Sequence, residues 1–204
     1  MALLVSRCWC YHKHLAMLIV KLIPEGLPMT KLLALSGSLR AVSMNKSVLE
    51  ACSQLVPAGV SVALYAGLAG LPPFNPDLDG DKPPKKIVAL RKQVGAADGL
   101  IISCPEYAHG IPGSFKNMLD WLVSCVEFPG KPVLLINTSP HSERITPLLM
   151  EVLMTMSAHV ITSAALTLPL KGRKLDADGI AKSAEFGTPL RAGLASFVDG
   201  INAV

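Results

Sequence analysis

Within fifteen residues the chain passes from an apolar run, Leu32-Leu33-Ala34-Leu35, into Ser36-Gly37-Ser38-Leu39-Arg40-Ala41-Val42-Ser43-Met44-Asn45-Lys46. Ser38, Ser43 and the Asn45 amide are neutral hydrogen-bond donors, and Arg40 adds a planar charged fork that suits phosphate oxygens. A helix-compatible segment follows. At such a junction backbone N–H groups converge where the helix dipole is positive, so the pattern predicts an anion cradle. Gly37 is expected to allow a sharp turn or the close approach of a ligand. Capping by Ser43 or Asn45 is the plainer reading of those two residues. It leaves unexplained the gathering of serines, glycine, arginine and asparagine in nine positions.

The kind of phosphate is narrowed by what is absent. Gly-x-x-x-x-Gly-Lys-Ser/Thr does not occur here, which argues against an ATP or GTP P-loop. Gly-x-Gly-x-x-Gly does not follow the run either, which argues against a dinucleotide-binding first turn. A hydroxyl-lined loop with one arginine suits a single terminal phosphomonoester, and FMN carries such a group.

A second polar motif, Pro105-Glu106-Tyr107-Ala108-His109-Gly110-Ile111-Pro112-Gly113, follows another apolar run, Gly99 to Cys104. Pro105 and Pro112 stiffen it, Gly110 is expected to adopt unusual dihedrals, and Tyr107 offers a flat face to a ring. Simpler readings exist for each: Tyr107 as packing, Glu106 as a solvated carboxylate, His109 as an exposed loop histidine or a proton donor to a reduced acceptor. No Ser/His/Asp or Cys/His arrangement stands out, so no catalytic side chain is assigned.

The elements that must position these motifs alternate. Strands are expected at Leu32–Leu35, Val60–Leu64, Gly99–Cys104, Val133–Ile136 and within Val160–Leu168. Helices are expected at 45–55, 85–97, 112–126, 145–158 and 189–201. Residues 66–84, rich in proline and glycine, read as a surface loop, and 171–188 as a polar, glycine-broken segment. Five strand–helix alternations predict one α/β domain, a doubly wound five-stranded parallel sheet of order 2-1-3-4-5 with helices on both faces. In such a sheet ligands bind beyond the C-terminal strand ends where the strand order switches, between strands one and three. The two polar motifs follow those two strands, which argues for one shared site.

Composition bounds the rest. At 204 residues the chain suits a single well-buried domain, and half of it is hydrophobic with 17% charged, which excludes global disorder. The net charge of +4 forms no dense basic block and only 5% of residues are aromatic, so no nucleic-acid partner is expected. The longest apolar stretch near the N-terminus, Leu15 to Ile23, is interrupted by Lys21 and too short to span a bilayer, so no membrane partner is expected. Five scattered cysteines predict buried free thiols and a cytoplasmic setting. Cys8, Cys10, His12 and His14 are four potential metal ligands, yet without a distal pair they predict no zinc site. Residues 1–28 read as an extension upstream of the fold, and 29–204 as the domain. Mean hydropathy is +0.44. That value, with a 112–126 helix apolar on several faces including Trp121 and Val123, predicts a homodimer or homotetramer.

From Met29 onward the chain resembles the NADPH-dependent FMN reductase family, which includes chromate, quinone and azo-dye reductases. The resemblance rests on residues 37–45, on the PEYAHGIPGSFKNMLDWL stretch at 105–122, and on Gly130-Lys131-Pro132-Val133. It implies a flavodoxin-like fold, bound FMN, and NADPH or NADH as co-substrate with a small-molecule electron acceptor such as a quinone, chromate, an azo compound or free flavin. By position it implies that Ser38, Arg40, Ser43 and Asn45 hold the phosphate, and that Pro105, Glu106, Tyr107, His109 and Gly110 line the isoalloxazine ring. Ser139, in the loop after strand four, is expected to reach the flavin. Many relatives carry Asn where this chain has Ala108, and glycines where it reads Thr138 to Arg144, so the outer wall of the pocket is expected to differ. A flavodoxin-type electron carrier shares fold and cofactor, but such carriers are usually acidic. An FMN-free relative is the third reading.

Overall fold

The computed structural model describes residues 29–140 and 144–203; the N-terminal extension and the 141–143 part of the loop after strand four lie outside them. Six strands form one sheet: β1 (Thr30–Ser36), β2 (Val60–Leu64), β3 (Gly99–Ser103), β4 (Pro132–Asn137), β5 (His159–Val160) and β6 (Leu166–Thr167). Its order is β2-β1-β3-β4-β5, and β6 also pairs with β4. All pairings are parallel; Leu32 to Ser36 run in register with Gly99 to Ser103, and Leu100 to Ile102 with Val133 to Leu135.

The central strands are apolar throughout because both of their faces are covered. Side chains alternate across the sheet. Leu33, Leu35, Leu100, Ile102, Val133 and Leu135 pack under α2 (Lys85–Gly95), α3 (Gly113–Leu122) and α4 (Ile145–Thr155). Leu32, Ala34, Ile101, Leu134 and Ile136 pack under α1 (Met44–Leu55), α5 (Ala177–Lys182) and α6 (Ala184–Asn202). Each fully buried Leu or Ile contributes roughly 1.5–3 kcal/mol, so slipping β1 by one residue would exchange both faces at once. The frame that carries the strand-end loops is therefore rigid.

Three local departures from expectation have physical causes. The fifth strand is two short pieces. β4 advances three residues from Val133 to Ile136 while the edge chain takes six from Val160 to Leu166, and the surplus closes a 3-10 turn at Thr162–Ala164. The segment expected to be irregular contains α5, capped by Asp176 Oδ1, which accepts from the Gly179 N–H at 2.8 Å. The last helix starts at Ala184, ahead of Pro189. Ser183 caps it, and its buried stripe of Phe186, Leu190, Leu194 and Phe197 outweighs the hydrogen bond that the interior proline forgoes.

Trp121 also departs from the expected outward position. It is fully buried, its indole N–H donates to the Pro72 carbonyl at 2.8 Å, and its ring meets Phe74 edge-on at 5.0 Å. The proline-rich loop thus covers the flank of α3 that the sequence left without a partner. Arg91 fixes the same loop, with its guanidinium 2.6 Å from Asp79. Among the apolar residues at the end of α3, Val123 and Val126 remain exposed.

Candidate active site

The loop after β1 leaves the sheet through Gly37, whose N–H donates to the Ser103 carbonyl at 2.9 Å. A Cβ on Gly37 would lie 2.3 Å from the Cys104 sulfur, so glycine is required for close packing of two strand ends rather than for a turn or a ligand. Beyond it, the Ser36 hydroxyl accepts from the Ser38 N–H and the Ser38 hydroxyl from the Arg40 N–H, both at 3.3 Å. These side chain–backbone bonds shape the loop without a repeating element. Ser43 is the N-cap of α1, its hydroxyl accepting from the Lys46 N–H at 3.4 Å. Capping and exposure to a ligand coincide here, because Ser43 also lines the cleft described below. Arg40 is exposed and has no carboxylate partner among the described residues.

Asn45, in the first turn of α1, is the hinge of the site. It is buried, and its Oδ1 accepts from the Ser103 hydroxyl at 2.9 Å and from the Thr138 hydroxyl at 3.2 Å. One side chain thereby joins the C-terminal ends of β3 and β4 to the start of α1. With its oxygen so engaged, the amide N–H groups are the remaining capacity of Asn45.

The loop after β3 is a tight turn. Tyr107 and Gly110 exchange backbone hydrogen bonds of 3.1 and 2.9 Å, and the two residues between them, Ala108 and His109, have φ of 49° and 60°. Two successive positive values are the pattern of a type I′ turn. The unusual dihedrals expected of Gly110 thus fall on its two predecessors, and Gly110 itself is not in the left-handed region. The turn carries Tyr107 to the edge of the cleft with its ring about half exposed.

Glu106 does something other than face a ring. Its Oε2 accepts from the backbone N–H groups of Arg144 and Ile145 at 3.1 and 3.2 Å, and its Oε1 lies 3.1 Å from His109 Nδ1. The carboxylate therefore caps α4, which has no side-chain cap of its own. Partial desolvation alone would raise its pKa; the hydrogen bonds from His109 and the two amides prevail and hold it below the usual carboxylate range. The Glu106 carboxylate and His109 thus belong to the support of the turn. Glu106 still borders the cleft, whereas His109 and Gly110 are not among its lining residues.

These loops surround a cleft of about 500 Å³ at the C-terminal edge of the sheet. Ser38, Arg40, Ser43, Asn45, Pro105, Glu106, Tyr107 and Ser139 line it, together with Thr138 from the loop expected to form the outer wall and with residues sequence reading missed: Asn137 and the arm Lys171-Gly172-Arg173-Lys174. Ser139 Oγ is the one buried side-chain polar atom without a hydrogen-bond partner among the described residues. A buried hydroxyl so placed calls for a ligand group. Cys104 also lines the cleft, and burial pushes its thiol well above the ordinary range, so it stays neutral and is not a nucleophile. The sheet has a second hollow of about 570 Å³ around Thr30, Gly59, Asp98 and Asn202, but it lies at the N-terminal strand ends, away from the strand-order switch.

The sequence read the arm only as the start of a polar, glycine-broken segment; its place could not be read because a broken edge strand precedes it. The structure ties it in by backbone. Leu168 N–H donates to the Asn137 carbonyl, and Leu170 and Lys171 N–H both donate to the Thr138 carbonyl. Among the described residues the cleft thus presents four cations, Arg40, Lys171, Arg173 and Lys174, and one carboxylate, Glu106, which is engaged elsewhere.

A parallel sheet of this order, with a hydroxyl- and cation-lined cleft at the β1/β3 switch, defines a flavodoxin-like protein. The model of the NADPH-dependent FMN reductase family matches residues 30–172, and the chain belongs to that family. It is 34% identical over 158 residues to an NAD(P)H-dependent FMN reductase of Pseudomonas aeruginosa, covering 72% of this chain and 85% of that protein. It is 35% identical over 112 residues to a quinone reductase of Escherichia coli, covering 53% of this chain and 60% of that protein. Its fold matches that of FerB, a flavoenzyme NAD(P)H:(acceptor) oxidoreductase from Paracoccus denitrificans, with a TM-score of 0.75 over 85% of this chain and 98% of that one, at 24% identity.

Proposed function

We propose that the protein is an FMN-dependent NAD(P)H:acceptor oxidoreductase acting on small acceptors such as quinones. The observation that carries this reading is the convergence on one cleft of a phosphate-type donor loop and a buried, unpartnered hydroxyl at Ser139. The donor set fits a flavin mononucleotide. Ser38, Ser43, Asn45 and Arg40 would hold the phosphate at the N-terminus of α1, and Pro105, Tyr107 and Ser139 would border the ring. Bound there, FMN supplies the hydride chemistry between a reduced nicotinamide and the acceptor.

The chain's own residues position and enclose. Asn45 holds the ends of β3 and β4 and the start of α1 in one arrangement, and Glu106 holds the Tyr107 turn against α4. Neutral Cys104 lies beside Pro105 and Tyr107 in the lining, and the Glu106 carboxylate between them is engaged by the α4 amides and His109. No described side chain is placed to act as nucleophile or general base, as suits a reaction whose chemistry resides in the cofactor. The reading extends to a homo-oligomer, which the exposed apolar Val123, Val126 and Met154 support. A monomer mass in light scattering at micromolar concentration would contradict that part. Among the described residues no helix is long and apolar enough to cross a membrane.

Steady-state oxidation of NAD(P)H with a quinone tests the reading. Turnover that depends on FMN and acceptor is expected. A protein that binds FMN but oxidises NAD(P)H negligibly in the presence of quinone would be an electron carrier instead.

A further inference from the structure

The turn that carries Tyr107 to the cleft has a backbone that its own residues disfavour. Ala108 and His109 both lie in the left-handed region, at φ 49° and 60°, a conformation that glycine and asparagine adopt far more readily. Strain of this kind persists only where the surroundings over-determine the conformation. Two sets of contacts do so here. Tyr107 and Gly110 exchange backbone hydrogen bonds across the turn. Glu106 is fixed to the start of α4 by the Arg144 and Ile145 N–H groups, and His109 reaches back to it, with Nδ1 3.1 Å from Oε1. Through Glu106, the His109 ring thus ties the strained half of the turn to α4.

The two partners differ in exposure. The Glu106 side chain is 10% exposed and that of His109 72%. Histidine is the side chain whose charge changes between about pH 5 and 8. A neutral ring donates from Nδ1 in only one of its two tautomers. A protonated ring always donates there, and its bond to a carboxylate is charge-assisted. The other groups of this corner that can carry charge are Tyr107, in the turn itself, and Arg144, at the start of α4. Phenols and guanidiniums keep one charge state across that range. His141 and Glu143 of the neighbouring loop lie outside the described residues.

Resting on the FMN reading above, we infer that His109 is a positioning residue whose protonation holds the Tyr107 turn in its binding conformation and so couples flavin affinity to pH. Apparent affinity scales with the fraction of chains already in the conformation that binds. Loosening the tie lowers that fraction, because the backbone at Ala108 and His109 has less strained alternatives. The ring takes no part in the chemistry, in keeping with its place outside the lining of the cleft.

Quenching of flavin fluorescence by the FMN-free protein, at about pH 5.5 and about pH 8, tests this in the parent and in His109→Gln. The phosphate of FMN titrates in the same range, so the readout is the ratio of the two proteins' affinities, in which that titration cancels. The parent is expected to bind about two- to fivefold tighter than His109→Gln at the lower pH, the scale of one exposed ion pair, and about equally at the higher. His109→Arg, a permanent cation, should restore the tighter binding at the higher pH. His141→Gln should keep the pH dependence of the parent. A ratio of parent to His109→Gln that is the same at both pH values would mark a merely structural role, overturning the inference while leaving the FMN reading in place. Loss of the pH dependence in His141→Gln would also overturn it, by giving the effect to the loop after strand four. A parent that binds no FMN at either pH would overturn both readings.

Discussion

Removing the Asn45 side chain should cost more stability than its size suggests. Asn45→Ala leaves the Ser103 and Thr138 hydroxyls without their shared acceptor, and both residues are buried, at 0% and 6% exposure. A buried hydroxyl left unsatisfied costs about 1–3 kcal/mol, and each can rotate to recover part of that, so a loss of about 2–4 kcal/mol is expected in the FMN-free protein. For a domain of this size that lowers Tm by roughly 4–16 °C. Asn45→Asp separates structure from binding. It keeps an acceptor for both hydroxyls but replaces the amide donors with a negative charge at the phosphate end of the cleft. Stability of the FMN-free protein should stay closer to the parent, while FMN affinity falls by more than about tenfold, the scale of one lost charge-assisted contact. Urea unfolding without flavin and quenching of flavin fluorescence read the two effects. An Asn45→Ala protein within about 0.5 kcal/mol of the parent, below the cost of even one unsatisfied hydroxyl, would refute the role assigned to this network.

Three further outcomes are expected. Arg40→Ala should weaken FMN by about 1.5–2 kcal/mol, the lower part of the charge-assisted range because the side chain is exposed, with less salt dependence of binding; unchanged affinity would move the phosphate site elsewhere. Ala108→Asn should stabilise the protein by about 0.5–1 kcal/mol in urea unfolding, since asparagine tolerates the left-handed backbone that alanine adopts here at φ 49°; destabilisation would argue against this turn geometry. Glu106 has a folded pKa held below its ordinary 4.5, so its stabilising contribution is complete above that value and is lost as pH falls through the folded one. Parent and Glu106→Gln should therefore differ in urea stability at pH 7 and converge as pH falls below 4.5; a gap independent of pH would show that the carboxylate charge is not what holds α4.

The central strands and the two loops flanking the switch were legible because doubly covered strands are written as unbroken apolar runs, and the polar clusters follow them directly. The edge was not. His159–Val160 and Leu166–Thr167 pair with β4 over two residues each, too short for any periodicity to register. Helix α6 was placed five residues late because Pro189 reads as a first-turn residue, while burial of Phe186 carries the helix past it. Ser38, Arg40, Ser43, Asn45, Pro105, Tyr107 and Ser139 were read as neighbours from motif position, and the fold places all of them on one cleft. Glu106 was read as a ring contact, but a capping carboxylate cannot be recognised when the helix it caps lies 39 residues away. Ser103, the arm and the bond from Thr138 to Asn45 escaped notice for the same reason: their partners are set by sheet register, which local sequence does not state.

The most direct test of the account is an anaerobic titration of the purified, FMN-loaded protein with NADPH, followed by flavin absorbance. The account predicts one FMN bound per chain and full bleaching of the flavin band near one equivalent of NADPH, with colour restored by a quinone. A protein that takes up no FMN, or whose bound flavin NADPH leaves oxidised, would contradict it.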